Sequence, residues 1–208
     1  LNLDSLVNAI LEQSTGKDRF MVAIAGPPGA GKSTLAEQLA DNLDQLSVSH
    51  SLVPMDGFHL DNSLLECDGT RERKGSSPTF DATGFVHLIK RLLAHDEEVI
   101  VPVFDREQDQ AIAGVQRVAL SDRIILVEGN YLLIDELPWS ALRELWDLTI
   151  FLDPGFSILE SRLIERWIRH DHDPDSARQR AMQNDLPNAR YVIEHSVTAD
   201  INLTAPDR

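Results

Sequence analysis

Basic residues are scarce in this chain of 208 residues: 19 Lys and Arg stand against 34 Asp and Glu, a formal net charge of −15. A surface that acidic repels nucleic-acid backbones and anionic membranes, which argues against both as main partners. Cysteine is nearly absent. The single Cys67 forms no internal disulfide, so a reduced, cytoplasmic setting is expected rather than thiol chemistry. No apolar run has membrane-spanning length, and the opening "LNLDSLVNAILEQS" carries acids where a leader carries bases. Neither membrane insertion nor a signal peptide is therefore expected. There is no internal repeat and no low-complexity linker. The remaining composition, 42% hydrophobic and 25% charged, is that of a globular protein able to bury a sizeable core.

Leu3, Leu6, Val7, Ile10 and Leu11 recur at helical spacing and predict an opening amphipathic helix. "RFMVAIAG" (19–26), "VSHSLVPMD" (48–56), "EVIVPVFD" (98–105), "RIILVEG" (123–129) and "LTIFLD" (148–153) read as strands, with "ADINLT" (199–204) as a last one. "KSTLAEQLADNL" (32–43), "GFVHLIKRLLAH" (84–95, capped by Asp81), "WSALRELW" (139–146), "SILESRLIERWIRH" (157–170) and "PDSARQRAMQND" (174–185) read as helices. Residues 61–79 form a polar stretch. Near-continuous apolar strands alternating with helices predict an α/β fold whose parallel sheet is covered on both faces. Ligands of such sheets bind beyond the carboxyl ends of the strands. The groups to watch are then Gly26–Ser33, Asp56, Asp105–Arg106, Glu128 and Asp153.

"AIAGPPGAGKSTLAEQLA" (23–40) contains G-x-x-x-x-G-K-S between a predicted strand and a predicted helix, the context that gives this spacing its meaning. Gly26, Pro27, Pro28, Gly29, Ala30 and Gly31 form a loop whose backbone N–H groups can converge on phosphate oxygens. Lys32 can reach the β- and γ-phosphates, and the Ser33 hydroxyl can ligate Mg²⁺, with Thr34 next in the helix. These residues predict a site for a nucleoside triphosphate and Mg²⁺. No N-K-x-D element for guanine and no "LSGGQ"-like stretch accompanies them, which leaves a small phosphotransferase.

Four further segments carry a resemblance. "MDGFHLDN" (55–62) resembles the D-G-F-x-x-x-N segment of bacterial pantothenate kinase, and "RKGSSPTFD" (73–81) resembles its R-K-G-x-P-x-x-Y-D and the H-P-x-x-F-D of uridine kinase. "PVFDR" (102–106) falls where those enzymes have P-x-Y-S-H or P-x-Y-D-F, and "ILVEGNYLL" (125–133) is similar to their I-L-E-G-x strand end. The chain thus resembles the P-loop small-molecule kinases of the pantothenate kinase, uridine kinase and phosphoribulokinase superfamily. That resemblance implies ATP as the nucleotide and one kinase domain over 1–208 with a helical lid near 160–185. It makes Asp56 the general base for an acceptor hydroxyl, although an Asx-turn before Gly57 also explains that residue. Glu128 is placed to bind Mg²⁺ through water or to orient the acceptor, or it is a plain strand-end carboxylate. Arg162, Arg166 and Arg169 share one helix face. In the resemblance they close over the triphosphate, Arg166 and Arg169 ahead of Arg162. The alternative is a solvated face paired with Glu160 and Glu165.

The acceptor pocket departs from both relatives. Arg106 stands where uridine kinase has its aromatic and pantothenate kinase its histidine, and Asp109 stands where uridine kinase has its histidine. His59, Asn62, Asp81 and Arg106 form a polar set suited to a polyhydroxylated acceptor, a sugar or sugar-like metabolite. Arg106 can also meet an anionic group or pair with Asp105. Proteins of this pattern include the fructose-transport-associated kinases. Asn184 and Asn188 either line the pocket or cap a helix around Pro187. "HDHDPD" (170–175) reads as lid surface rather than a metal site. A homodimer is compatible with this reading. The rivals are a nucleoside or pantothenate kinase, and an ATP-binding regulatory or transport-coupling protein that has no metabolite acceptor.

Overall fold

The structure, a computed structural model, describes residues 2–169 and 173–204. Its elements in chain order are α1 (Leu3–Gln13), β1 (Phe20–Ala25), α2 (Lys32–Gln45), β2 (His50–Pro54), α3 (Asn62–Cys67) and α4 (Ala82–Ala94). They continue with β3 (Val99–Asp105), β4 (Gln110–Val118), β5 (Ile124–Gly129), β6 (Leu148–Asp153), α5 (Phe156–Arg169), α6 (Pro174–Arg180), α7 (Leu186–His195) and β7 (Ile201–Thr204).

Five strands form a parallel sheet in the order β2-β5-β1-β6-β7, which puts β1 in the middle. Along β1 the side chains alternate. Phe20, Val22 and Ile24 join an apolar cluster with Leu6, Ile10, Leu39, Leu43, Leu159 and Leu163 from α1, α2 and α5. Met21, Ala23 and Ala25 join a second cluster with Phe85 and Ile89 of α4 and with Trp139 and Leu142. Both faces are covered, so every β1 residue is buried, and a strand apolar at each position is what such a sheet requires. Among the described residues no helix is long and apolar enough to cross a membrane.

Several expectations need correction. "EVIVPVFD" does not join the parallel sheet: β3 pairs antiparallel with β4, a strand the sequence reading lacks. Asp105 therefore ends β3 and Arg106 opens the hairpin turn, neither lying at a carboxyl end of the main sheet. The turn forms because the Asp105 carboxylate accepts from the N–H groups of Glu107 and Gln108, each at 2.9 Å, while Asp109 adopts a left-handed φ of 53°. "WSALRELW" is a 3₁₀ turn over Trp139–Leu145. The polar stretch holds α3 and two further 3₁₀ turns, and "LPNARYVIEH" is the helix α7. Residues 170–172 of the His-Asp run lie outside the described residues. Asp173 caps α6 by accepting from the Asp175 and Ser176 N–H groups.

Candidate active site

The phosphate-type loop leaves β1 at its carboxyl end. Gly26 has a φ of 148°, and a Cβ there would lie 2.4 Å from the Leu152 carbonyl oxygen of β6, so only glycine lets the two strands approach. Gly31, at φ 100°, opens α2. The Lys32 side chain folds back under the loop: its Nζ donates to the Pro27 carbonyl at 3.0 Å, and the residue is 7% exposed. Burial pulls the ammonium below the ordinary lysine range, while the charges of Glu128 and Asp56 push the other way. Thr34 is exposed on the first turn of α2.

Glu128 comes from β5, in register with Ile24 of β1 and Pro54 of β2. Its carboxylate accepts from the Ser33 hydroxyl at 3.3 Å. Burial, and after it the charge of Asp56, raise the Glu128 carboxyl above the usual glutamate range, opposed by Lys32, the Ser33 hydrogen bond and Arg106. Asp56 stands in the 3₁₀ turn Met55–Phe58 that ends β2. That turn is wedged against β3, since a Cβ on Gly57 would lie 2.2 Å from the Pro102 carbonyl oxygen. Three strand ends and one loop thus bring Asp56, Glu128, Ser33 and Lys32 into one electrostatic cluster. A hydroxyl beside a carboxylate is a hard oxygen pair of the kind Mg²⁺ selects, and the glycine loop with its buried ammonium fits a triphosphate.

Beside this cluster lies a polar wall. The His59 ring packs at a tilt between Phe80 and Phe104, with centroids 4.0 and 4.5 Å away, and its Nδ1 lies 2.9 Å from the Asp56 carbonyl. Burial holds this imidazole below the ordinary histidine range, so it is neutral near pH 7. Lys74 donates to Asn62 Oδ1 at 2.7 Å and to the Asp109 carbonyl at 2.6 Å, and Arg71 reaches Asp109 Oδ2 at 2.8 Å. Asn62 is thereby held as a strut between α3 and the hairpin tip. Asp81 is exposed and spends its carboxylate on the Gly84 N–H as the cap of α4. Arg106, at the hairpin turn, is close enough to act electrostatically on Lys32 and Glu128.

The arginine ladder of α5 is ordered differently from the expectation. Arg162 touches the loop, donating to the carbonyls of Gly29 and Ala30 at 3.2 and 3.1 Å. Arg166 donates to Asp185 at 3.1 Å and acts on Lys32. Arg169, two turns beyond Arg162, faces solvent and lies 3.6 Å from Glu165. It is the one of the three that behaves as a solvated surface residue, because the helix has passed the loop by that point.

Asp185 and Tyr131 have no role in the sequence reading, whereas Asn184 and Asn188 stand in it as pocket or cap residues. Asp185 lies in a π-turn, Ala181–Asp185, that carries no sequence sign. Asn184 and Asn188 hold the 73–75 segment: Asn184 Nδ2 donates to the Lys74 carbonyl at 3.0 Å and Asn188 Nδ2 to the Gly75 carbonyl at 2.7 Å. The Tyr131 hydroxyl, whose ionisation burial pushes up, joins them at 2.6 Å from Asn188 Oδ1.

The family model described as Phosphoribulokinase / Uridine kinase family matches residues 21–204. The chain belongs to that family. A candidate uridine kinase of Schizosaccharomyces pombe is 33% identical over 213 residues, covering 96% of this chain and 89% of the relative. The uncharacterized protein YggC of Escherichia coli K12 is 32% identical over 196 residues, covering 93% and 81%. The crystal structure of a candidate fructose transport system kinase from Silicibacter sp. TM1040 superimposes with a TM-score of 0.93 at 43% identity, covering 98% of this chain and 99% of that one. This family member is an ATP-dependent small-molecule kinase, a phosphotransferase built on the P-loop α/β fold.

Proposed function

We propose that this kinase moves the γ-phosphoryl group of ATP to a hydroxyl of a sugar or sugar-like metabolite. The observation that carries the reading is the meeting of Asp56 with Lys32 and Glu128 on one side and a polar wall of His59, Lys74 and Arg106 on the other. Loop N–H groups and Lys32 hold the phosphates. Arg162 and Arg166 meet the charge that spreads over the equatorial oxygens in the transition state. Ser33 with Glu128 would hold Mg²⁺, which would supply charge neutralisation for the triphosphate. Asp56 accepts the proton of the acceptor hydroxyl as its oxygen bonds to the γ-phosphorus. The bond from that phosphorus to the β–γ bridging oxygen breaks, and ADP leaves. Such general-base help contributes about 10²–10⁴ in rate. The lid of this single domain spans roughly 160–185, the arginine helix α5 together with α6 and the π-turn.

The experiment is Mg·ATP consumption against hexoses, pentoses, polyols, nucleosides, glycerate and pantothenate, with Asp56→Asn as control. A sugar-like compound that stimulates the wild type and not the variant supports the reading. Base-selective stimulation replaces it with a nucleoside kinase. A flat panel with intact ATP binding replaces it with a nucleotide-driven switch.

A further inference from the structure

We propose that Asn184 is a positioning residue for phosphoryl transfer: it joins α5, which lies on the glycine loop, to the strap 73–77, so that filling the nucleotide site orders the acceptor side. This rests on the kinase reading above. The argument begins at the glycine loop. Arg162 of α5 donates to the Gly29 and Ala30 carbonyls at 3.2 and 3.1 Å, and a Cβ on Gly29 would lie 3.2 Å from the Leu163 side chain. A phosphate that shifts the loop therefore shifts the helix as well. One turn on, Arg166 and Trp167 both donate to Asp185, at 3.1 and 2.5 Å. Asp185 is buried, so this pair ties α5 to the π-turn Ala181–Asp185.

The preceding residue of the same turn serves the other side. Asn184 Oδ1 accepts from Arg73 Nε at 3.1 Å, and Asn184 Nδ2 donates to the Lys74 carbonyl at 3.0 Å. A guanidinium only donates and a carbonyl only accepts, so the two partners fix the amide's orientation. A carboxylate or an ammonium could serve only one of them. From Lys74 the contacts continue, its Nζ donating to Asn62 Oδ1 at 2.7 Å and to the Asp109 carbonyl at 2.6 Å. Hydrogen bonds thus lead from the glycine loop through α5, Asp185 and Asn184 to the strap, α3 and the hairpin tip. The strap is also held without Asn184. Asn188 Nδ2 donates to the Gly75 carbonyl at 2.7 Å, the Tyr131 hydroxyl lies 2.6 Å from the same oxygen, and the Trp139 indole donates to Ser77 Oγ at 2.8 Å. Those ties anchor the strap to α7 and the core. Among the described residues, the hydrogen bonds that tie it to the π-turn are those of Asn184. By linkage, the acceptor must then raise nucleotide affinity by the factor with which the nucleotide raises acceptor affinity.

The test needs no acceptor. Amide hydrogen exchange, whose rate follows local opening, is measured on the full chain with and without saturating Mg·AMP-PNP. In the wild type the analogue should slow exchange in the glycine loop. It should also slow exchange in residues 73–77 by about 5- to 100-fold, the ordinary range of coupling between two sites. In Asn184→Ala the loop should still slow, while the strap keeps its nucleotide-free rate. Arg73→Met removes one of the two bonds from the strap side and should lose part of the effect. Arg73 is exposed, so this variant keeps the test open where Asn184→Ala fails to fold. A purely structural Asn184 would speed strap exchange in both states alike and leave the ratio at its wild-type value, which overturns the inference. A wild-type strap that ignores the analogue while the loop responds also overturns it, and leaves the kinase reading standing. An analogue that slows no segment removes the kinase reading itself, and the inference with it.

Discussion

Asp185, in the π-turn before α7, holds Arg166 of α5. Its carboxylate accepts from the Arg166 guanidinium at 3.1 Å through one oxygen and from the Trp167 indole N–H at 2.5 Å through the other. The side chain is 9% exposed against 43% for Arg166, so a buried acid presents a half-exposed base to the site. The π-turn at 181–185 makes this possible, since its extra residue swings Asp185 inward between α6 and α7. The Trp167 ring lies under two cations, 5.5 Å from Arg166 and 4.5 Å from Arg180.

If this contact aims Arg166, then Asp185→Asn, which keeps the shape and one acceptor oxygen, for the Trp167 indole, but turns an NH₂ toward the guanidinium, should lower kcat about 10-fold, or 1.4 kcal/mol of transition-state stabilisation. The melting temperature should hardly move. Asp185→Ala strands the indole N–H and should lower both. Steady-state kinetics beside thermal melts decide it, and an unchanged kcat in both variants leaves Asp185 with a purely structural role.

Glu128 carries a pH prediction. Burial and Asp56 raise its carboxyl above the usual glutamate range. The folded chain therefore keeps this proton to a higher pH than the unfolded chain, whose glutamates titrate near about 4.3. Its contribution to stability is present at low pH and is lost as pH rises through the raised value. Glu128→Gln should accordingly gain stability over the wild type at pH 7.5 and lose that advantage near pH 4.5. It should lose most turnover at every pH. Urea midpoints at the two pH values check the sign, and a variant less stable at pH 7.5 would show that the electrostatic attraction of Lys32 outweighs burial.

These residues differ in how far they can be read from sequence. β1, β5 and β6 are apolar at nearly every position, and the glycine loop has a fixed spacing, so the phosphate side of the site is visible in the chain itself. β4 is not: "QAIAGVQRV" has no clean alternation and carries Gly114 at a φ of 77°. Its pairing is decided by the Asp105 turn and by packing against the Asp56 turn. On α5 the spacing places three arginines on one face, but only the docking of that helix on Gly29 and Ala30 determines which of them reaches the loop. Asp185 depends on a π-turn, and the strut among Asn62, Lys74 and Asp109 joins segments 12 to 47 residues apart. Contacts of that kind have no local pattern.

The close approach of β1 and β6 makes Gly26→Ala a sharp test of the loop. A methyl group would lie 2.4 Å from the Leu152 carbonyl oxygen, which is backbone and cannot turn aside. The strands must separate at the point where the loop begins. A cost of about 3 kcal/mol or more is expected, from strain at a special backbone position together with lost strand pairing. ATP affinity should fall as well, because the loop N–H groups no longer converge. Denaturant melts with and without Mg·ATP measure both effects. Wild-type stability in the variant would mean that the two strands are looser than this contact requires.

Arg19 shows how the fold ties α4 and the β3–β4 hairpin to the sheet. It is 6% exposed, and its guanidinium donates to the Leu92 carbonyl at the end of α4 at 2.9 Å and to the Ala119 carbonyl just after β4 at 2.8 Å. Burial is the larger influence on its charge, eased by Asp122. The residue thus clamps α4 and the hairpin that carries Arg106 to the start of β1. Arg19→Met fills similar volume but leaves two carbonyls without a donor, at a cost of about 2–4 kcal/mol. In a protein of this size that lowers the melting temperature by roughly 10 °C. Arg19→Lys, which keeps the charge but reaches one carbonyl at a time, should fall between. The residual activity of Arg19→Met, assayed well below its melting temperature, should show a raised acceptor KM and an unchanged ATP KM, since the clamp bears on the hairpin and not on the glycine loop. Equal changes in both constants would place its effect on the sheet as a whole.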